Sequence, residues 1–165
     1  MTNDKRDKLH EALQLCTIHS ERMSFAHEKI KKHFPLDKEK YLQLQPEELS
    51  FFDQLIFRFS KMQDSMGGRL FPAILENLGE EISSLPFIDR VSKLEQLNII
   101  SSADEWMLLR ETRNLITHEY PFITDEVIEG LNLLYKHYQL IMEIWGNIVS
   151  YCHTRLPLAG GDLQS

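Results

Sequence analysis

Cysteine, glycine and proline are all scarce in this sequence, and each scarcity narrows what the chain can be. Only two cysteines occur among 165 residues, Cys16 and Cys152. They form neither a CxxC pair nor a Cys/His ligand spacing, so two reduced cytosolic thiols are expected rather than a disulfide framework or a zinc site. The seven glycines and six prolines fall at boundaries, with no internal repeat and no low-complexity segment. No Gly-x-Gly-x-x-Gly loop or Walker sequence occurs, so nucleotide binding by this chain alone is not expected. There is no Glu-x-x-His pair and no HExxH, which argues against a di-iron bundle or a zinc protease, and neither metal nor cofactor is expected. Strand-like alternation is almost absent. A long hydrophobic run is missing too: the most apolar window, residues 138–152, is interrupted by Glu143, Gly146 and Asn147. It is too short to span a bilayer and reads as a core helix. The N-terminus lacks the charged–apolar–small pattern of a signal peptide, so a cytoplasmic protein with no membrane contact is expected.

Positive charge is also in deficit. The net charge is −7, so bulk electrostatics would not hold nucleic acid, and any RNA contact needs a local basic patch. Two candidates exist. Lys29, Lys31 and Lys32 read most simply as the solvated face of a helix. Arg110 and Arg113 form the other.

What remains is a chain rich in helical periodicity, with 42% hydrophobic and 26% charged residues. From about Asp4 to His33, a stripe of Leu9, Leu13, Cys16, Met23, Ala26 and Ile30 predicts a long helix. Pro46, with Glu47 and Glu48, opens a second helix carrying Phe51, Phe52, Leu55, Ile56, Phe59 and Met62. Gly67-Gly68 is expected to weaken or break it before Arg69 to Leu78 resume the pattern. A shorter helix covers Ile88 to Leu97. Ser101 or Ser102 caps the next, which Pro121 stops, and Thr124 caps the last, running to about Arg155. The expectation is an all-α, up-and-down helical bundle of four to six helices. It forms one domain over residues 1–155, with a frayed tail over 156–165.

The chemistry-bearing stretch is "RETRNLITHEYP", residues 110–121. In a regular helix, at about 100° per residue, Trp106, Leu109, Ile116 and Tyr120 share a core-facing stripe, and Arg113 falls in the same sector. A guanidinium there must find an anionic partner or a wet cleft. A structural ion pair with Asp64, Asp104 or Glu126 answers that need, and the polar run Arg58, Gln63, Asp64 is one source of a counter-ion. His118 lies about 140° from Arg113, beside Asn114 and Glu111, which is wrong for a same-face pair. Either Pro121 unwinds the last turn and swings His118 round, or two copies meet across a two-fold axis and line one cleft. A doubled cleft would hold what metal-free RNA cleavage needs. Histidine would move the proton of the 2′-hydroxyl or of the leaving oxygen, and arginine would offset charge on the phosphoryl oxygens. The plainer readings are a helix-end role for His118 and a core or interface role for Tyr120.

The segment "WMLLRETRNLITHEY", residues 106–120, resembles the signature of the HEPN superfamily of small helical-bundle proteins. That signature is an Arg, a polar residue after it and a His separated from the Arg by four to six residues, here Arg113, Asn114 and His118 with four between. Tyr120 matches the Arg-x4-His-x-Tyr extension of the branch paired with minimal nucleotidyltransferases, and "FRFSKMQDSMGGRLFPAIL" is similar to that branch's second helix. The resemblance covers residues 5–155, most closely at the motif. It implies a HEPN-like bundle, a homodimer with facing motifs, and a metal-independent endoribonuclease acting on RNA as the toxin of a toxin–antitoxin pair. It assigns Arg113 and His118 to cleavage, Asn114 and Arg110 to substrate binding, and Tyr120 to modification by a minimal nucleotidyltransferase antitoxin. Members with a similar motif also serve as non-catalytic, substrate-binding subunits of a two-component nucleotidyltransferase, which is the alternative expectation.

Overall fold

The computed structural model describes residues 2–118 and 122–156, and among these every regular element is helical. The first helix, α1, spans Thr2–Ile30 and tightens into a 3-10 turn over Lys31–His33. Its expected stripe is its buried face: Leu9, Leu13, Cys16, Met23, Ala26 and Ile30 are fully buried. Each large apolar side chain so placed contributes about 1.5–3 kcal/mol. A short helix that apolar periodicity does not signal, α2 (Lys38–Leu42), follows Asp37, whose carboxylate accepts from Lys40 N at 2.7 Å. The loop before it is tied across the bundle: Asn132 Oδ1 accepts from Leu36 N at 2.7 Å, and Asn132 Nδ2 donates to Leu36 O at 2.8 Å.

Helix α3 (Pro46–Ser65) starts at Pro46, and Glu48 reaches back to accept from Gln45 N at 3.3 Å. The glycine pair interrupts the α winding, as one of the two expected outcomes, without breaking the rod. Residues Met66–Leu70 wind as a π-helix and join α3 directly to α4 (Phe71–Asn77), so the chain is helical from Pro46 to Asn77. A π turn absorbs an extra residue without interrupting the rod. A Cβ added at Gly67 would meet the rings of Phe87 and Trp106 at 3.4 Å, so the missing side chain lets both rings close on the backbone. The rod stops at Gly79, whose φ of +82° suits glycine, with Glu80 N donating to Leu75 O at 3.0 Å.

Three helices complete the fold: α5 (Phe87–Gln96), α6 (Ala103–Ile116) and α7 (Asp125–Arg155). Ser102 Oγ accepts from Glu105 N at 3.1 Å to cap α6, and Thr124 Oγ1 accepts from Val127 N at 3.3 Å to cap α7. With α3, the π turn and α4 counted as one rod, the seven α segments make six helices among the described residues. The expected all-α bundle is the observed one. α1 packs along α3 and α4, α6 packs on α7 and α3, and α5 bridges α4 and α6. Their apolar faces form one cluster, with Trp106 fully buried and its ring 4.6 Å from that of Phe71. Cys16 and Cys152 are buried and unpaired, and burial pushes both thiols up to about 12. No described helix is long and apolar enough to cross a membrane. The expected frayed tail lies, beyond Leu156, outside the described residues.

Candidate functional site

The motif begins on the last two turns of α6. Trp106 and Leu109 are buried and Ile116 half-buried, so the core stripe of this helix is where its periodicity places it. Arg113 shares that side but sits at its edge, and it has found the anion that its position demands. Arg113 Nε donates to Asp64 Oδ1 at 3.1 Å and Nη2 donates to Asp64 Oδ2 at 2.9 Å, a two-pronged bond between α6 and the last turn of α3. Both partners keep access to solvent, at 32% and 44% of their side-chain surface. Asp64 occupies the Nε/Nη2 edge of the guanidinium, so the Nη1 protons are not spent on this carboxylate. Of the three counter-ions that spacing allowed, Asp64 is the one used.

His118 is placed differently from the helical extrapolation. α6 ends at Ile116, five residues before Pro121, and Thr117 closes it by donating from Oγ1 to Arg113 O at 2.8 Å. His118 therefore follows the helix end and is exposed. The 140° offset of a regular helix does not apply to it, and that offset no longer requires a second copy. Asn114 is exposed on α6. Arg110 is exposed with its guanidinium carbon 4.6 Å from the centre of the Phe87 ring, which parks it over α5. Tyr120 lies outside the described residues, together with Glu119 and Pro121.

No family model, no curated protein and no solved structure matches this chain. The site's reading therefore rests on its residues.

Two arrangements beside the motif escaped the sequence reading. Thr112, next to Arg113, is buried, and its Oγ1 lies 2.7 Å from Nδ1 of the buried His137 and 3.3 Å from Leu108 O. Burial, then Lys136, pushes His137 below the usual histidine value. The neutral ring is the favoured form, and it fastens α6 to α7 immediately behind the motif. Helical spacing carried a hint, since Thr112 falls about 60° from Leu109 and hence on the inner face. The second is Arg58, from the same polar run as Asp64. Its Nη1 meets His19 Nδ1 at 3.0 Å, while Gln63 between them is buried. That run thus divides its labour: Asp64 serves α6 and Arg58 serves α1.

Among the described residues no group of three or more His, Cys, Asp or Glu side chains could hold a metal ion. The chemistry available at the motif is that of an oriented guanidinium, an imidazole, and amide and hydroxyl groups.

Proposed function

We propose that this chain is a HEPN-type, metal-independent endoribonuclease, the toxin of a pair whose antitoxin is a minimal nucleotidyltransferase. The observation that carries the reading is the Arg113–Asp64 pair: it presents a guanidinium at the surface in one orientation, beside the turn that holds His118. Asp64 is spaced from Arg113 by 49 residues and belongs to the other segment that resembles the family. Arg113 offsets the charge that grows on the non-bridging phosphoryl oxygens, through donors that Asp64 leaves unspent. His118 takes the proton of the 2′-hydroxyl as its oxygen bonds to phosphorus. The bond from phosphorus to the 5′-oxygen then breaks, and that oxygen is protonated by the second His118 of a dimer. The products are a 2′,3′-cyclic phosphate and a 5′-hydroxyl. Asn114 and Arg110 bind the strand, and Tyr120 is where the partner enzyme acts.

Support for the dimer now comes from surface chemistry. Leu108 and Leu115 on α6 and Phe122 ahead of α7 are exposed to 44%, 36% and 76%, with Leu115 also resting on Gly130 of α7. Exposed large apolar groups that flank a polar motif in the sequence are what an isologous contact would cover. On expression, the wild type should slow growth and cleave RNA, whereas His118→Ala should do neither. Leu108→Glu should halve the solution mass and abolish cleavage with it. A wild type that neither slows growth nor cuts RNA removes the toxin reading and leaves the second one, a non-catalytic subunit that binds the nucleotidyltransferase. The bond to Asp64 also suits that reading, because a purely structural arginine would be held the same way.

A further inference from the structure

The outer seam between α1 and α3 combines exposed aromatic rings with uncompensated cations. On α1, Ile18, Arg22, Phe25 and Lys29 recur at helical spacing and all are exposed. On α3, Phe57 and Lys61 are exposed and Arg58 half-buried. Contacts set the two helices antiparallel along this seam. Gln54 Nε2 donates to Arg22 O at 3.3 Å, Phe25 meets Phe51 edge to face at 6.0 Å, and Arg58 reaches His19. Phe25 and Phe57 are 54% and 50% exposed, unusual for rings of this size. Cations hover over both: Lys29 lies 5.3 Å from the Phe25 centroid, and Arg58 and Lys61 lie 5.1 and 5.6 Å from that of Phe57.

Among the described residues, none of Arg22, Lys29, Arg58 and Lys61 has a carboxylate within ion-pair distance, while nearby Glu28 is engaged by Lys31 at 2.7 Å. Arg58 is steadied by a neutral imidazole instead, which fixes the guanidinium without cancelling its charge. In a chain of net charge −7, these four cations line one seam beside the exposed carboxylates Glu21 and Asp53, with which none of them forms an ion pair. The seam also has a direction. Phe57, Lys61 and Asp64 are one stripe of α3, at i, i+4 and i+7, so its far end is the carboxylate that holds Arg113.

We infer that the α1/α3 outer seam is a track for single-stranded RNA, whose phosphates pair with Arg22, Lys29, Arg58 and Lys61 and whose bases pack on Phe25 and Phe57, leading the strand toward Arg113. Sequence-tolerant strand binding needs this combination of basic side chains and aromatic platforms, and it needs unstacked bases. A protein partner fits less well, because lysine is depleted at protein interfaces and here Lys29 and Lys61 sit over the rings. The track rests on the ribonuclease reading only for its destination, since the binding face stands without cleavage.

The test uses the full chain carrying His118→Ala, which cannot cut, and a fluorescein-labelled unstructured RNA of mixed A and U. Anisotropy is read across a salt series, and circular dichroism checks each variant's fold. Arg22→Gln with Lys61→Gln lowers the slope of log K against log salt by about 0.7 per cation removed. Phe25→Ala with Phe57→Ala weakens binding roughly five- to one-hundred-fold for each ring removed. If the ring variant unfolds, the charge variant decides alone. Wild-type affinity and slope in the charge variant, or no RNA binding by the parent protein, overturns the track. A charge variant that shifts solution mass instead of RNA binding also overturns it and makes the seam a contact between copies. RNA bound through the seam by a wild type that never cleaves removes the ribonuclease reading alone.

Discussion

Asp64 is the residue on which the motif's chemistry turns. As a half-exposed partner of Arg113 it contributes little stability, since exposed ion pairs are worth about 0–1 kcal/mol. Its role is positional, so Asp64→Asn should lower kcat for RNA cleavage about 10- to 100-fold while the melting temperature stays nearly constant. Asp64→Glu, which keeps the charge on a longer arm, should recover part of that loss. A merely structural pair would show neither the kcat effect nor the rescue. The need of Arg113 for an anion was legible from helical periodicity, because a guanidinium on an apolar stripe has few other outcomes. His118 was less legible. Its place depends on where α6 ends, and Thr117 closes that helix through its own hydroxyl rather than waiting for Pro121.

At the level of elements, the rod from Pro46 to Asn77 shows how a local rule can be overridden. Paired glycines disfavour a helix by about 1 kcal/mol each relative to alanine, yet the chain stays wound as a π turn. A Cβ at Gly67 would just touch the rings of Phe87 and Trp106 at 3.4 Å, whereas a Cβ at Gly68 would meet nothing within 4 Å. The two positions should therefore answer differently to substitution. Gly68→Ala should stabilise by about 0.4–1 kcal/mol through the unfolded chain. Gly67→Val should cost about 1–3 kcal/mol by forcing its branches against two rings. Urea denaturation of the two variants checks both; equal effects would mean the rings do not hold the turn in place. Two helix caps, by contrast, were readable, Thr124 to the residue and Ser102 to within one position: each accepts from the amide three residues on, as short-range capping requires.

For the whole molecule, three histidines bind its stability to pH. His19, His27 and His137 are buried, and each is pushed below the usual histidine value. Burial is the main cause in all three. The cations Arg58, Lys61 and Arg22 add to it at His19, and Lys136 adds to it at His137. At His27, Glu28 opposes the shift. The unfolded chain takes up protons near pH 6.5, before the folded one does. The stability these rings contribute is thus complete above about pH 6.5 and is lost as pH falls through their folded values. Melting temperature should decline on acidification from about pH 7.5 to about pH 5.5, and less so in His137→Gln. A flat profile over that range would show that the rings are protonated without cost.

The amino-acid sequence by itself determined the long helices, the caps of α6 and α7 and the buried stripes. Those features arise from 3.6-residue periodicity and from hydrogen bonds spanning three or four residues. Only the tertiary structure decided that Asp64 rather than Asp104 or Glu126 holds Arg113, that His137 backs Thr112, and that Arg58 turns toward His19. These pairs span 49, 25 and 39 residues. Contacts at such separations depend on how helices pack, and several partners of equal chemistry are available until the packing selects one.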